Sequence, residues 1–286
     1  MRKVVVPTNL LSRLGILGML AFLPALAQVP GVFPLQDAAA KIAPYQFGPI
    51  REKIEFRDGT ATSPNWSGYV VLGSSFYWAA GSWVVPAADC SAVQGNQFAA
   101  FWVGLDGYTS TTVEQIGTLT DCDAKTPAYY AWYQFYPQGM TIIPSVPIAP
   151  GDHVSASVVY YSSINEFTVR FRDDTTGATF GTSAAVPGAV RSSAEWIAEA
   201  PCCTANGGIL PLTDFGTVTF GRDSTGVAGT NSAMDLGTRG LIGSFPAADT
   251  IVVSKTASSG SEATSTCSTL SADGTSFSCT WQGAAP

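Results

Sequence analysis

Two polar side chains, Gln115 and Glu195, stand in otherwise apolar segments and could form a hydrolytic site without histidine or metal. Residues 101–118 read FWVGLDGYTSTTVEQIGT, and residues 193–201 read SAEWIAEAP. An ionised glutamate can take a proton from an attacking water molecule and return it to a leaving group. A glutamine offers a C=O that orients water and an NH2 that donates to a developing oxyanion. These residue types predict general acid–base hydrolysis.

The commoner hydrolytic sites lack the residues they need. The single histidine, His153, follows the turn sequence PGD at the start of a strand, which is typical of a surface residue. No serine stands in a G-x-S-x-G elbow, and no H-E-x-x-H motif offers a zinc site. A Ser-Lys pair is poorly supported because only Lys125 and Lys255 follow residue 60. We therefore expect no metal and no cofactor.

Alternation along the strands decides which acids can join Gln115. In TVEQIG, Glu114 faces away from Gln115, so the two cannot serve one site on a regular strand. In AEWIAE, Glu195 and Glu199 share a face. Alternation therefore leaves both Glu195 and Glu199 as candidates for the base.

Two other functions remain open. A sandwich-fold glycoside hydrolase could use Glu195 and Glu199, but their backbones are about 13 Å apart at about 3.3 Å per residue. The two catalytic carboxyl groups of a glycosidase are about 5–5.5 Å apart in retaining enzymes and about 6.5–9.5 Å apart in inverting enzymes, so this spacing is unfavourable. A non-catalytic carbohydrate- or peptide-binding module is the second alternative, because Trp132, Gln134 and Tyr136 place aromatic rings around an amide on one face.

Short segments rich in β-branched and aromatic residues predict the elements that position these side chains. Gly, Pro, Asp, Asn and Ser separate them. The predicted strands read NWSGYVVLG, FYWAAGSWVV, QFAAFWVGL, AYYAWYQFY, HVSASVVYY, EFTVRFR, AEWIAE, GTVTFG, TIVVSKT and SFSCTW. The one candidate helix lies around residues 36–42. The pattern predicts an all-β fold, an antiparallel β-sandwich of two large packed sheets of the concanavalin or lectin-like type.

The N-terminal 60 residues differ from the rest of the chain. Residues 1–27 have a basic start, a short apolar run and an Ala-Leu-Ala end, which predict a secretory signal peptide. A transmembrane anchor is disfavoured because the run is short of about 20 residues and Pro24 interrupts it. Residues 28–60 predict a removable pro-segment, with an ordinary N-terminal extension as the alternative. Residues 61–286 are then the β-sandwich domain, and the mature chain is expected to start near residues 59–64.

Charge is unevenly divided between these regions. Residues 1–60 hold seven Lys/Arg and four Asp/Glu, a net charge of +3, whereas residues 61–286 hold seven and 17, a net charge of −10. An anionic body of this kind is not expected to bind nucleic acid or a membrane. It suits an acidic medium, in which a docked cationic pro-segment would be released. We expect a soluble, secreted monomer.

Six cysteines follow the predicted signal peptide, and an even number in an exported chain predicts disulfides. Zinc is disfavoured because the chain has no C-x-x-C pair and one histidine. Cys267 and Cys279 flank a segment with an Asp-Gly turn, which predicts a bridge between two strands of a hairpin. The adjacent Cys202 and Cys203 are expected to pair with Cys90 and Cys122.

Seven motifs occur in one order over most of residues 61–225. They read NWSGYVV, SWVVP, FWVGLDG, EQIGT, YYAWYQFYP, SAEWIAE and DFGTVTF. Together they resemble the glutamic peptidases, or eqolisins, which are exported acid endopeptidases with a β-sandwich fold and a glutamine–glutamate catalytic pair. The resemblance implies a pepstatin-insensitive endopeptidase that acts on polypeptide substrates, with Gln115 and Glu195 as its catalytic pair. Glu195 is assigned as the base because it stands directly before Trp196, with Glu199 as the fallback.

The resemblance also implies a set of residues that line the cleft and bind substrate. These residues are Trp66, Trp102, Asp106, Trp132, Gln134 and Tyr136. The chain departs from the family at Gln134, where a glutamate is usual.

Overall fold

A computed structural model describes residues 46–92, 95–123, 125–202, 208–257 and 262–284. Eighteen strands account for almost all of the regular structure in this part of the chain. They are β1 (Ile54–Glu55), β2 (Thr60–Ser63), β3 (Trp66–Leu72), β4 (Phe76–Val84), β5 (Gln97–Leu105), β6 (Val113–Asp123), β7 (Thr126–Tyr136), β8 (Thr141–Pro147), β9 (His153–Tyr161), β10 (Glu166–Asp173), β11 (Thr179–Ala184), β12 (Ser193–Glu199), β13 (Thr217–Phe220), β14 (Ser232–Asp235), β15 (Thr238–Leu241), β16 (Thr250–Lys255), β17 (Ala263–Cys267) and β18 (Phe277–Ala284). The described helices are α1 (Arg222–Thr225) and a 3-10 turn at Ile242–Ser244.

The strands form two antiparallel layers. One layer has the order β8-β7-β6-β5-β12-β3-β16, and the other has the order β11-β10-β9-β4-β14-β15. Strands β17, β18 and β13 continue the pairing from β16 to a contact between Phe220 and Trp83 of β4, which joins the layers along one side. β2 pairs with β16 in parallel.

The first layer is buried on both faces, and its sequence explains why. All nine residues of β5 are buried, because this strand consists almost entirely of apolar and aromatic side chains. Its odd-numbered residues, such as Val103, join the core between the two layers, while even-numbered residues, such as Trp102, join a second cluster on the opposite face. The Trp83 indole donates to the Thr118 hydroxyl at 2.9 Å and so links the layers within the main core.

The predicted all-β, antiparallel fold is confirmed, and each predicted strand segment coincides with an observed strand. The strands β1, β2, β8, β11, β14 and β15 were not expected. The predicted signal peptide and the candidate helix around residues 36–42 lie outside the described residues. Within the described residues, no helix has the length and apolarity needed to cross a membrane.

The disulfide prediction is half correct. Cys267 and Cys279 are bonded and lie directly opposite each other on β17 and β18, as expected for the hairpin. The expected pairing of Cys202 with Cys90 or Cys122 is wrong, because Cys90 and Cys122 are bonded to each other. The physical reason is the position of Gln97, which lies opposite Cys122 in the sheet and donates to the Cys90 carbonyl at 3.1 Å. Cys202 is also disulfide-bonded, and Cys203 lies outside the described residues.

Candidate active site

Glu195 and Gln115 lie in one cross-strand row of the first layer. Glu195 on β12 is opposite Gly104 on β5, Gly104 is opposite Gln115 on β6, and Gln115 is opposite Gln134 on β7. Directly opposed residues of antiparallel strands point to the same face, and two strand steps separate the Cα atoms of the pair by about 10 Å. Gly104 has no side chain, and the Trp102 ring, two residues earlier on β5, lies over it, 2.8 Å from where a Cβ would stand.

The Gln115 amide is oriented by a peptide carbonyl. Its Nε2 donates to the Phe47 carbonyl oxygen at 2.6 Å and lies 3.5 Å from Gln134 Oε1. Its Oε1 is buried and has no hydrogen-bond partner among the described residues. The NH2 of Gln115 therefore donates to a peptide carbonyl oxygen, which is the atom that an oxyanion site must bind.

Glu195 is completely buried, and neither of its carboxyl oxygens has a hydrogen-bond partner within the described part of the chain. Loss of contact with water raises the pKa of the Glu195 carboxyl well above its usual range. The nearby Ser193 hydroxyl opposes this shift without forming a well-aligned hydrogen bond, and the charges of Asp106 and Glu114 reinforce it. Among the buried acids, an unengaged carboxyl of this kind is suited to accept and return a proton.

Glu199 is buried on the same face but is engaged on both oxygens. Asn65 Nδ2 donates to Oε1 at 3.2 Å, and the Trp102 indole donates to Oε2 at 2.9 Å. Burial raises the pKa of Glu199 well above its usual range, and these hydrogen bonds partly counteract the shift. Because both oxygens are held, Glu199 is less suited than Glu195 to act as a base or as the second carboxyl of a glycosidase.

Asp106 anchors the loop that leads into β12. It has a left-handed backbone conformation, with φ of 69°, and its side chain is completely buried. Its carboxylate accepts the backbone N–H groups of Val190, Arg191 and Ser192 at 2.9, 2.6 and 2.9 Å. Its contacts are therefore with the backbone that positions Glu195, three residues beyond Ser192.

Glu114 lies opposite Leu105 and Phe135, which belong to the core between the layers, so it faces away from Gln115 as the alternation predicted. It is nevertheless completely buried, and neither oxygen has a hydrogen-bond partner among the described residues. Burial raises the pKa of Glu114 well above its usual range, and the charge of Asp106 adds to this effect. Glu114 is thus a second uncompensated buried acid, beneath the row that holds the pair.

The aromatic residues predicted to line a cleft are brought together on this face. Trp66 packs edge-on against Trp102 with ring centroids 5.1 Å apart, and Trp132 packs against Phe47 at 4.2 Å. Trp66, Trp102 and Trp132 are fully buried, and Tyr136, at the end of β7, is partly buried. The face is covered by residues 46–51, which we term the covering segment.

Three residues of this face were missed at the sequence level. Gly104 leaves room for the Trp102 ring in the row of the pair, Asn65 holds Glu199, and Phe47 holds the Gln115 amide. Gly104 and Asn65 lie inside the motifs FWVGLDG and NWSGYVV, so their position in these motifs could have drawn attention to them. No local signal identifies Phe47, because the residues that it contacts on β6 and β7 are far from it in the sequence.

A separate open groove of about 630 Å³ lies on the outer face of the second layer. Trp78, Arg170, Arg172 and Arg239 contribute to it, and it shares no lining residue with the row of Glu195 and Gln115. The groove is therefore separate from Glu195 and Gln115. No group of three or more His, Cys, Asp or Glu side chains suited to a metal ion occurs among the residues described.

Comparison with known proteins gives consistent results. The model of the Peptidase A4 family matches residues 64–281. Aspergillopepsin-2 of Aspergillus niger is 27% identical over 199 residues, covering 62% of this chain and 70% of that protein. Scytalidopepsin B of Scytalidium lignicola is 32% identical over 122 residues, covering 42% of this chain and 43% of that protein.

A solved structure has the same fold. Scytalido-glutamic peptidase, in a crystal structure with a transition state analog inhibitor, aligns with a TM-score of 0.60 and 24% sequence identity. The alignment covers 77% of this chain and 98% of that structure. At this level of identity the similarity concerns the fold alone.

Proposed function

Because the chain belongs to the Peptidase A4 family of glutamic peptidases, we propose that Glu195 and Gln115 are the catalytic pair with which it hydrolyses peptide bonds. Family membership makes the chain a glutamic endopeptidase, and polypeptides are the substrates of such an enzyme. The assignment of the pair to these two residues, and the acid range of activity, are our proposals.

In the proposed reaction, Glu195 acts first as the general base. Its ionised carboxylate takes one proton from a water molecule, whose oxygen forms a bond to the carbonyl carbon of the substrate. The carbonyl oxygen becomes negatively charged, and the Gln115 NH2 donates a hydrogen bond to it. When the C–N bond breaks, protonated Glu195 gives its proton to the leaving nitrogen. Glu195 returns to its starting state, and the products are a carboxyl group and an amine.

One observation carries this proposal. The Gln115 Nε2 atom donates to a peptide carbonyl, that of Phe47, at 2.6 Å in the same row as the unengaged carboxyl of Glu195. In comparable sites an oxyanion donor contributes about 2.7–4 kcal/mol to transition-state stabilisation. An unperturbed glutamate has a pKa of about 4.3, which puts its change of charge in the acid range once water reaches it.

We further propose that the enzyme is secreted and acts as a monomer, with residues 1–27 as signal peptide and 28–60 as pro-segment. The match to the family model begins at residue 64, close to the proposed start of the peptidase domain at residue 61. The disulfides Cys90–Cys122 and Cys267–Cys279 are consistent with an oxidising compartment.

A protein digest at about pH 3–4 with pepstatin and a chelator present tests the proposal. The processed chain should hydrolyse protein under these conditions, and Glu195→Gln and Gln115→Ala should abolish the hydrolysis. N-terminal sequencing of the processed enzyme would locate the maturation site at the same time. Correctly processed and folded protein that hydrolyses nothing at any acidic pH would contradict the proposed function.

A further inference from the structure

The covering segment crosses the face that holds Glu195 and Gln115. Near one end, the Gln46 N–H donates to the Cys202 carbonyl at 2.9 Å. Further along, the Ile50 N–H donates to the Gly107 carbonyl at 3.0 Å, and the Arg51 N–H donates to Asn65 Oδ1 at 2.9 Å. The segment is held mainly through its backbone, which is how a site that accepts many sequences binds a polypeptide.

Phe47 is held at both of its backbone groups and at its ring. Its N–H donates to Gln134 Oε1 at 3.1 Å, and its carbonyl accepts from Gln115 Nε2 at 2.6 Å. Its ring packs on Trp132 with centroids 4.2 Å apart and is fully buried. Phe56, by contrast, is 52% exposed.

The hydrogen-bonding pattern fixes the orientation of Gln134. Its Nε2 donates to the Gln138 carbonyl at 2.8 Å, while its Oε1 accepts from Phe47. Rotating the amide by 180° would oppose donor to donor and acceptor to acceptor at these two contacts. Gln134 is therefore an acceptor directed at the backbone N–H of whatever residue occupies the position of Phe47.

We propose that the covering segment occupies the cleft as a substrate does, with Phe47 immediately before the position of the bond to be cut, and that Gln134 binds the backbone N–H of that residue. This inference rests on the proposed function, because the role of Gln115 as oxyanion donor identifies the Phe47 carbonyl as the one that corresponds to the scissile carbonyl. The residue preceding the bond is then read by its ring against Trp132 and by its N–H at Gln134.

The same arrangement explains how the segment can remain bound without being cut. Burial beneath it raises the pKa of Glu195, and a protonated carboxyl cannot take a proton from water. An ordinary substrate would have to displace the segment before it could reach the pair. The residue after Phe47 is a glycine, and a Cβ added there would lie 3.5 Å from the Tyr136 ring, an ordinary contact that leaves room for a small side chain.

Binding of a peptide probe to the whole chain with Glu195→Gln tests whether the covering segment occupies the cleft. This variant separates binding from hydrolysis. The probe is an alanine-based decapeptide with a central Phe-Gly pair, and tryptophan fluorescence reports its binding. We expect Phe47→Ala to tighten probe binding at least tenfold, because it releases the covering segment. Phe56→Ala is the matched control and should leave binding unchanged.

Equal probe affinity in the Phe47→Ala and Phe56→Ala chains would overturn the proposal. Thermal melting checks that each variant folds. If Phe47→Ala does not fold, Phe47→Leu replaces it and should tighten binding by a smaller factor, and no tightening would again refute the idea. Failure of the proposed function is distinguishable, because the probe would then bind while the chain with Glu195 intact hydrolysed no protein.

A probe with an N-methylated phenylalanine tests the role of Gln134. In the Phe47→Ala background, N-methylation should weaken binding roughly fivefold to tenfold, since it removes one hydrogen bond. In the same background with Gln134→Ala, the methylated and unmethylated probes should bind equally. A merely structural role of Gln134 would lower the affinity of both probes by the same factor, and that outcome would overturn its assignment.

Discussion

Gly104→Ala is the most direct perturbation of the space between Glu195 and Gln115. A Cβ at this position would lie 2.8 Å from the Trp102 ring and 3.1 Å from the Glu114 carbonyl oxygen. Overpacking of this kind costs about 1–3 kcal/mol, and the reduced freedom of the unfolded chain offsets about 0.4–1 kcal/mol of it. The midpoints of these ranges give a net loss of about 1.3 kcal/mol, which lowers Tm by about 3–5 °C in a domain of this size.

The activity of Gly104→Ala should fall more than its stability suggests. The methyl group would stand in the row between the proposed base and the proposed oxyanion donor, and a displacement of about 1 Å can cost about 100-fold in rate. Thermal melting and kcat/KM on a fluorogenic peptide measure the two effects. Gly139→Ala is the matched control, because Gly139 is exposed and a Cβ there meets no atom within 4 Å. A Gly104→Ala enzyme with unchanged Tm and kcat/KM would refute the position of Gly104 between Glu195 and Gln115.

Three further predictions follow from the buried polar groups and the disulfides. Asp106→Asn should lower the free energy of unfolding by about 1.5–3 kcal/mol in urea titrations, because it weakens the charged hydrogen bonds from the backbone N–H groups of the loop before β12. Asn tolerates the left-handed backbone conformation at this position. An unchanged urea midpoint would contradict the anchoring role of Asp106. Replacing Cys267 and Cys279 by serine, which opens a link between residues 12 apart, should cost about 3 kcal/mol in the same assay, and a loss below about 1 kcal/mol would contradict it. Burial raises the pKa values of Glu195 and Glu199 in the folded chain above the value of about 4.3 that a glutamate has in the unfolded chain. The two acids therefore contribute most to the free energy of unfolding below about pH 4.3. This contribution is lost as pH rises through the folded pKa values, by up to about 1.4 kcal/mol per pH unit for each acid. Tm should therefore fall from pH 4 to pH 7, and a rising Tm would be inconsistent with these shifts.

The strands that carry the site could be predicted from their local composition. β5 is almost entirely apolar and aromatic, and β12 has Ala194, Trp196 and Ala198 on one face. β11, with the sequence TFGTSA, and β14, with the sequence SAMD, are short and have few large apolar residues. They are strands because their neighbours supply the hydrogen bonds, and that information is not local.

The same distinction applies to the site. Alternation correctly separated Glu114 from Gln115, because it depends only on the strand period. It could not indicate that Gly104 stands between the pair, since that follows from the register of three strands. The bond between Cys90 and Cys122 also depends on register, through the pairing of Gln97 with Cys122.

Paired measurements on Glu195→Gln and Glu199→Gln test whether Glu195 is the catalytic base. Both acids are fully buried on one strand and share a face, so the two variants are closely matched. Glu195→Gln should lower kcat by about 10²–10⁴-fold, the usual contribution of a general base, with little effect on Tm because its oxygens have no hydrogen-bond partner among the described residues.

Glu199→Gln should instead lower stability by about 1–3 kcal/mol, because one of its two held oxygens becomes a donor facing Asn65 or Trp102. The decisive quantity is kcat of the folded fraction of each variant, measured at about pH 3–4 on one peptide substrate. Glu199→Gln should retain most of this kcat, and Glu195→Gln should lose almost all of it. The reverse result, an active Glu195→Gln enzyme beside an inactive but folded Glu199→Gln enzyme, would contradict the assignment of Glu195 as the base.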